Sequence, residues 1–341
     1  MSSSSLPTFG ATTTAEEVAD ALVSEIKGKN VLVTGTSING IGFETARAIA
    51  KYANLVIITG YNASRLQLSK EAITKEFPSA NIRTLHVDLS SVESVRKAGA
   101  EVNAYPEPLH VLINNAAATT GTSKPTVDGF EMQMAAGHIG PFLFTKLLAP
   151  KILASTSSTI SIPRVIFVSS VQHALGDGVP LDKEAFTTGA GTTLPEEHKD
   201  AKAPPMFLRY GQVKSANVLT ARELSRRAGG RIRAYSLDPG AIVTNAFAQD
   251  FKPTLEAIGI IGKDGKANKD FGGELVWKSL GQGAATTVTA AFDPRISDQA
   301  GAYLLDCVLA EDKVAAHSSD MVRAKKLWDL TEEVIGEKFE L

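Results

Sequence analysis

Cysteine is nearly absent, since the 341-residue chain holds only Cys307. A single thiol excludes an internal disulfide and most cysteine-built metal sites. Its setting, the apolar run Tyr303-Leu304-Leu305-Asp306-Cys307-Val308, predicts a buried structural thiol. Excess charge of one sign is also missing, the formal net charge being −2. A nucleic-acid footprint needs a strong basic excess, so that partner is excluded. The one basic cluster, Arg226, Arg227, Arg231 and Arg233 around Gly229-Gly230, reads as a helix C-terminus, where cations suit the dipole. No apolar window is long enough to span a bilayer. The opening Met1-Ser2-Ser3-Ser4-Ser5 has neither the apolar core of a signal peptide nor the arginines of a transit peptide, so a cytoplasmic location is expected.

What is present is a rhythm. Asn30 to Gly35, Leu55 to Thr59, Arg83 to Val87, His110 to Asn114, Val165 to Ser169 and Arg233 to Leu237 are short apolar runs without alternation. Such runs predict strands buried on both faces, as in a parallel sheet. Helical stretches such as Gly42 to Tyr52 and Ser91 to Asn103 fall between them. The expected fold is therefore α/β, a single Rossmann-type doubly wound parallel sheet with helices on both faces. Residues 1–28 read as a tail and a helix, 29–310 as the sheet domain and 311–341 as a C-terminal helix packed on it. Residues 171–209 and 245–275 break the rhythm and read as long loops, of the kind that serve as functional lids or stay poorly ordered.

Three places carry chemistry. Thr34-Gly35-Thr36-Ser37-Ile38-Asn39-Gly40-Ile41-Gly42 follows the first strand and opens a helix. Glycines there let backbone approach a pyrophosphate, whose charge rests on the helix N-terminus. The second strand ends at Gly60, where many NAD-binding folds place a carboxylate on the ribose 2′-hydroxyl. Its absence favours NADP(H) over NAD(H). Arg65, a turn later, is either a partner for the 2′-phosphate or a solvated surface residue. Finally, the spacing of Tyr210 and Lys214 puts phenol and ammonium on one helical face. A tyrosine with a pKa of about 10 exchanges protons poorly at neutral pH, and a nearby Lys⁺ is expected to lower that value.

These motifs keep company with Asp88-Leu89, Asn114-Asn115-Ala116-Ala117, Val168-Ser169-Ser170 and Pro239-Gly240-Ala241-Ile242-Val243-Thr244, each following a strand. In order and spacing the sequence resembles the short-chain dehydrogenase/reductase family. Phe9-Gly10-Ala11, Asp128-Gly129-Phe130-Glu131 and His138-Ile139-Gly140 extend the likeness to retinol-dehydrogenase-like members of fungal style, over about residues 9–310. The resemblance implies Tyr210 as general acid/base, Lys214 on the nicotinamide ribose and Ser170 on the substrate oxygen. It places Gly35, Ser37, Ile38, Gly40, Ile41 and Gly42 along the pyrophosphate and adenosine side, and Asp88 and Leu89 at the adenine. Asn115 and Ala116 fall at the adenosine ribose, and Pro239, Gly240, Ile242 and Thr244 at the nicotinamide end. The expected partner is a small carbonyl or alcohol, and a homo-oligomer is compatible with the reading.

Departures are visible as well. The turn from Gly35 to Gly40 is one residue longer than usual, Ala117 replaces a glycine, and Gly137 stands where family members carry a proton-relaying asparagine. Gly137 lies inside the helix expected from Met132 to Leu148, where glycine costs about 1 kcal/mol relative to alanine. Either the relay is weakened, or the glycine makes room for substrate or a bend. His86 and His110 read as structural, and no metal is expected at Glu196-Glu197-His198. His173 either lines the substrate mouth or is structural. Phe186, Met206, Phe207 and Phe247 in the insertions suggest an apolar substrate. The function expected is hydride transfer between NADP(H) and a carbonyl or alcohol. The alternatives are a cofactor-binding protein of little turnover and a non-redox epimerase or dehydratase.

Overall fold

The apolar runs become neighbouring strands because each is buried on both sides. A computed structural model describes residues 6–118, 125–155, 162–187, 205–245, 252–257, 259–268 and 276–341. The strands are β1 (Asn30–Val33), β2 (Leu55–Gly60), β3 (Ile82–His86), β4 (Val111–Asn114), β5 (Arg164–Val168) and β6 (Arg233–Asp238). Along β1, Val31 and Val33 enter one core and Leu32 enters the other. The same alternation holds in β2, where Val56 and Ile58 face Leu55 and Ile57 across the sheet. The sheet order is β3-β2-β1-β4-β5-β6, all parallel, continued by two further strands.

Helices cover both faces, as a parallel sheet requires. The first core takes α1 (Ala15–Ala21), α2 (Val23–Ile26), α3 (Ile41–Ala50), α4 (Ala63–Glu76) and a late helix, Leu280–Phe292. The second takes α5 (Val92–Ala104), the helix Gly140–Ala154, the end of the long helix Pro205–Ala228, and Trp328 from Met321–Ile335. The chain reverses its winding direction between β1 and β4, and crevices at such switch points are where ligands bind.

Several local expectations change. The apolar run around Cys307 is a hairpin: β7 (Tyr303–Leu305) lies parallel to β6 and β8 (Val308–Leu309) antiparallel to β7. Its two-residue turn, Asp306-Cys307, has φ of 53° and 65°, the left-handed geometry that hairpin turns demand. Cys307 is buried there and its N–H donates to Thr286 Oγ1 at 3.2 Å. The helix expected from Met132 is interrupted, with α-helical Met132–Met134, a π-turn at Ala135–Ile139 and α-helix again from Gly140 to Ala154. The tyrosine helix starts at Pro205 rather than Tyr210, so the first insertion ends earlier than expected. The second insertion contributes a helix, Lys252–Ala257, and a bridge between Ile261 and Ala267. Glu196-Glu197-His198, Phe247 and the side chain of Met206 lie outside the described residues.

Candidate active site

The glycine-rich turn is built on close backbone approach. Gly35 has φ +71°, and a Cβ placed on it would lie 2.8 Å from Ala116 Cα. A Cβ on Gly42 would lie 2.3 Å from Asn115 Nδ2. Asn115 fixes the turn by donating from Nδ2 to the carbonyls of Thr34 (2.9 Å) and Gly35 (3.1 Å). The N–H groups of Asn115 and Ala116 both donate to Thr34 Oγ1 at 3.0 Å. Gly40 is the N-cap of α3, and no side-chain hydrogen bond caps that helix. Asn39, at φ 63°, takes up the extra residue of the longer turn.

Other cofactor-side residues line the same edge. Asp88 follows β3, and its Oδ1 accepts from Ser90 N (2.9 Å) and Ser90 Oγ (2.6 Å). Leu89 is buried, its carbonyl 2.1 Å from where a Cβ on Gly140 would stand. After β6, Gly240 has φ +89° and donates its N–H to Asp238 Oδ1 at 2.9 Å, while buried Ile242 fills the space that Gly283 leaves. Pro239 is buried and Thr244 partly exposed on this loop. Asn245 then donates to the carbonyl of Ile38, bringing the loop after β6 against the glycine-rich turn. Ser37, Ile38, Arg65, Leu68 and Asn245 enclose a pocket of about 200 Å³. Arg65 and Ser37 therefore line one pocket, a juxtaposition that sequence spacing left open.

Ser170, Tyr210 and Lys214 converge at the carboxyl end of β5. The long helix approaches the 3₁₀ turn Val171–Ala174 so closely that a Cβ on Gly211 would lie 2.6 Å from the Gln172 carbonyl. That approach lets the Tyr210 hydroxyl hydrogen-bond Ser170. Lys214, 2% exposed, donates from Nζ to the Val168 carbonyl at 2.7 Å and lies 5.1 Å from the Tyr210 ring centroid. The neighbouring Ser169 is turned away, donating to the Lys214 carbonyl at 2.7 Å.

The electrostatics differ from the expectation that Lys214 lowers the tyrosine pKa. Burial raises the phenol above its ordinary value; the negative Asp238 adds to that, and the Ser170 hydrogen bond opposes it. Burial also pushes the Lys214 ammonium down to about 8, against the pull of Asp238. The physical reason is desolvation: both groups lose water that would stabilise their charged forms. The phenol is thus held neutral at pH 7.

Comparison with known proteins agrees with this geometry. The short chain dehydrogenase family matches residues 29–177. Over 330 residues the sequence is 33% identical to the short-chain dehydrogenase TIC 32 A, chloroplastic, of Brassica napus, covering 95% of this chain and 93% of that one. The chain belongs to the short-chain dehydrogenase family. It is also 33% identical to the short-chain dehydrogenase/reductase prx1 of Penicillium rubens, over 91% of this chain and 85% of that protein. The solved 3-oxoacyl (acyl-carrier-protein) reductase of Agrobacterium tumefaciens, with NADP bound, shares the fold with TM-score 0.58 and 19% identity, covering 83% and 95% of the two chains. Short-chain dehydrogenases bind nicotinamide dinucleotides. The cradle made by Gly35 and Gly42, closed to any Cβ, and the uncapped start of α3 fit a dinucleotide pyrophosphate here.

Within this short-chain dehydrogenase, several assignments move. His173 is 1% exposed and bonded on both ring nitrogens, so it does not line the substrate mouth. Phe186 is fully buried with Met134, Ile139, Val179 and Val213 and meets the His138 ring edge-on, so it belongs to the core. Phe207 packs with Leu255 and Ile261, joining the two insertions beside Leu175 and Trp277. Gly137 faces the protein rather than open space: a Cβ there would lie 2.5 Å from Val213 Cγ1. Asp238, buried between the two halves of the site, was not signalled by any motif beyond standing before Pro239-Gly240. Another cleft, of about 430 Å³ beside Arg222, Arg226 and Gln299, shares no residue with the site. Among the described residues no three His, Cys, Asp or Glu side chains gather to hold a metal, and no helix is long and apolar enough to cross a membrane.

Proposed function

We propose that the chain is an NADP(H)-dependent oxidoreductase interconverting a carbonyl and an alcohol on an apolar small molecule. The observation that carries this reading is the Ser170–Tyr210 hydrogen bond with Lys214 buried behind it, at the end of the strand beside the dinucleotide cradle. When bound, the reduced nicotinamide supplies the hydride to the carbonyl carbon. Tyr210 Oη–H gives its proton to the oxygen, and Ser170 Oγ holds that oxygen by a hydrogen bond. Lys214 orients the nicotinamide ribose and, when charged, favours the tyrosinate left after the transfer. The proton then returns to Tyr210 from solvent.

Three observations support the finer claims. Arg65 and Ser37 line one pocket beyond Gly60, a place for a 2′-phosphate. NADP is bound in the structurally similar Agrobacterium tumefaciens reductase. Val171, beside Ser170, is exposed, and the Phe207–Leu255–Ile261 cluster stands close by, which suits an apolar substrate. The observation favouring a low-turnover cofactor-binding protein is the missing asparagine at Gly137. The test is NADPH oxidation with a panel of apolar ketones and aldehydes. Turnover that drops about 10²-fold or more in Tyr210→Phe, with NADPH affinity retained, is the expected result. Absence of turnover with every compound, or full activity in the mutant, would refute the reading.

A further inference from the structure

Beneath Ser170 lies a buried polar network with no part in proton or hydride transfer. His173 Nδ1 stands 2.7 Å from the Ser170 carbonyl, which can only accept, so Nδ1 carries the proton. His173 Nε2 accepts the Ala315 N–H at 3.2 Å. These two bonds fix a neutral imidazole of one tautomer. The His173 carbonyl accepts in turn from His317 Nε2–H at 2.9 Å and from the Ser318 hydroxyl at 3.4 Å. Ser318 Oγ also lies 2.9 Å from Ser215 Oγ, and Ser215 is the neighbour of Lys214. A continuous path thus runs from the Ser170 backbone, through the segment 315–318, back to the helix bearing Tyr210 and Lys214. Its fit is tight, since a Cβ on Gly178 would lie 2.3 Å from His317 Cδ2.

We propose that His173 is a positioning residue: as the neutral Nδ1–H tautomer, it uses the segment 315–318 to hold Ser170 in register with Tyr210 and Lys214. Ser170 is extended, φ −166° and ψ 157°, and its carbonyl is pinned by both the N–H of His173 (2.9 Å) and its ring. Releasing one of these lets the peptide rotate and carries the hydroxyl off the Tyr210 phenol. An imidazolium would turn a second N–H against that of Ala315. Burial disfavours that form, as do His317 from the segment Ala316–Ser319 and Arg222 from the long helix, while the bond to Ser170 favours it. Tyr303 packs its ring 5.0 Å from the imidazole and adds no charge.

The catalytic half of this inference rests on the reductase reading, so the test reads the clamp separately. Ala315 has φ −60° and ψ 144°, and Val314 before it φ −82° and ψ 125°, so both suit an Ala315→Pro change that removes only the N–H donor. In ¹⁵N spectra of the full-length wild type, His173 should show the Nδ1–H tautomer and titrate below an ordinary imidazole. In Ala315→Pro its pKa should rise toward the ordinary imidazole value. His173→Ala should lower kcat at least about tenfold with NADPH Kd within about twofold, and Ala315→Pro should fall between it and wild type. The Ala315 amide should exchange at least about tenfold faster in His173→Ala. An Nε2–H tautomer, unchanged Ala315 exchange, or wild-type kcat in a folded His173→Ala would overturn the proposal. If the wild type reduces no carbonyl, the reductase reading fails and the spectra and amide exchange alone decide the clamp. If His173→Ala does not fold, Ala315→Pro carries the same test.

Discussion

Gly137 lies in the π-turn of its helix, and the atom it lacks would fall 2.5 Å from Val213 Cγ1 on the neighbouring helix. Ordinary carbon contacts sit near 3.5–4.0 Å, so a methyl at 137 requires the helices to part by about 1 Å or Val213 to leave its rotamer. Val213 is 2% exposed and β-branched, so rotation is resisted. Overpacking of this kind costs about 1–3 kcal/mol, offset by about 0.5–1 kcal/mol of better helix propensity. Gly137→Ala should therefore lose on the order of 1–2 kcal/mol. Val213→Ala should lose about 2 kcal/mol by emptying the notch. Combined, the two changes add one methyl on one side of the interface and remove two from the other, relieving the clash, so they should couple favourably by about 1 kcal/mol or more. Urea unfolding of the four proteins at constant m measures this. Because Lys214 follows Val213, Gly137→Ala and Gly137→Asn should lower kcat rather than raise KM. Unchanged stability with raised KM in Gly137→Ala would return the glycine to the substrate pocket, and an additive cycle would refute the Val213 contact.

A Cβ on Gly60 meets only Leu66 Cδ1, at 4.0 Å, so Gly60→Asp should fold and shift the kcat/KM ratio toward NAD(H). Arg65→Ala should weaken NADPH binding about tenfold, the scale of a charge-assisted hydrogen bond, with little effect on NADH; equal effects on both would end the 2′-phosphate reading. Burial holds His110 down to about 4 and His138 to about 3, from an ordinary 6.5. The unfolded chain therefore binds these protons first. Stability should be full above pH 6.5 and fall as pH drops toward 4, by about 2–3 kcal/mol per histidine at pH 4.5. Urea midpoints at pH 7 and 4.5 check the loss, and an NMR titration placing either imidazole near 6.5 would contradict it.

Much of the fold is legible in the residues because its signals are local. Six apolar runs became six parallel strands, since a run without alternation suits only a strand covered on both faces. Gly35 and Gly42 sit where the backbone admits no Cβ, and their spacing announces that. The convergence of Ser170, Tyr210 and Lys214 follows from strand order and a one-turn spacing. What stayed hidden depends on atoms far apart in the chain. The Asp306-Cys307 hairpin carries no glycine, and distant residues anchor the two positive-φ positions, Thr286 accepting from the Cys307 N–H and Lys278 pairing with the Asp306 carboxylate. The Gly137 notch exists only because Val213 arrives from another helix. His173 looks like a mouth residue until Ala315, 142 positions away, occupies its second nitrogen. The raised pKa of Tyr210 is hidden for the same reason: spacing reveals the lysine nearby, whereas burial, the largest influence on the phenol, is set by the whole surrounding core.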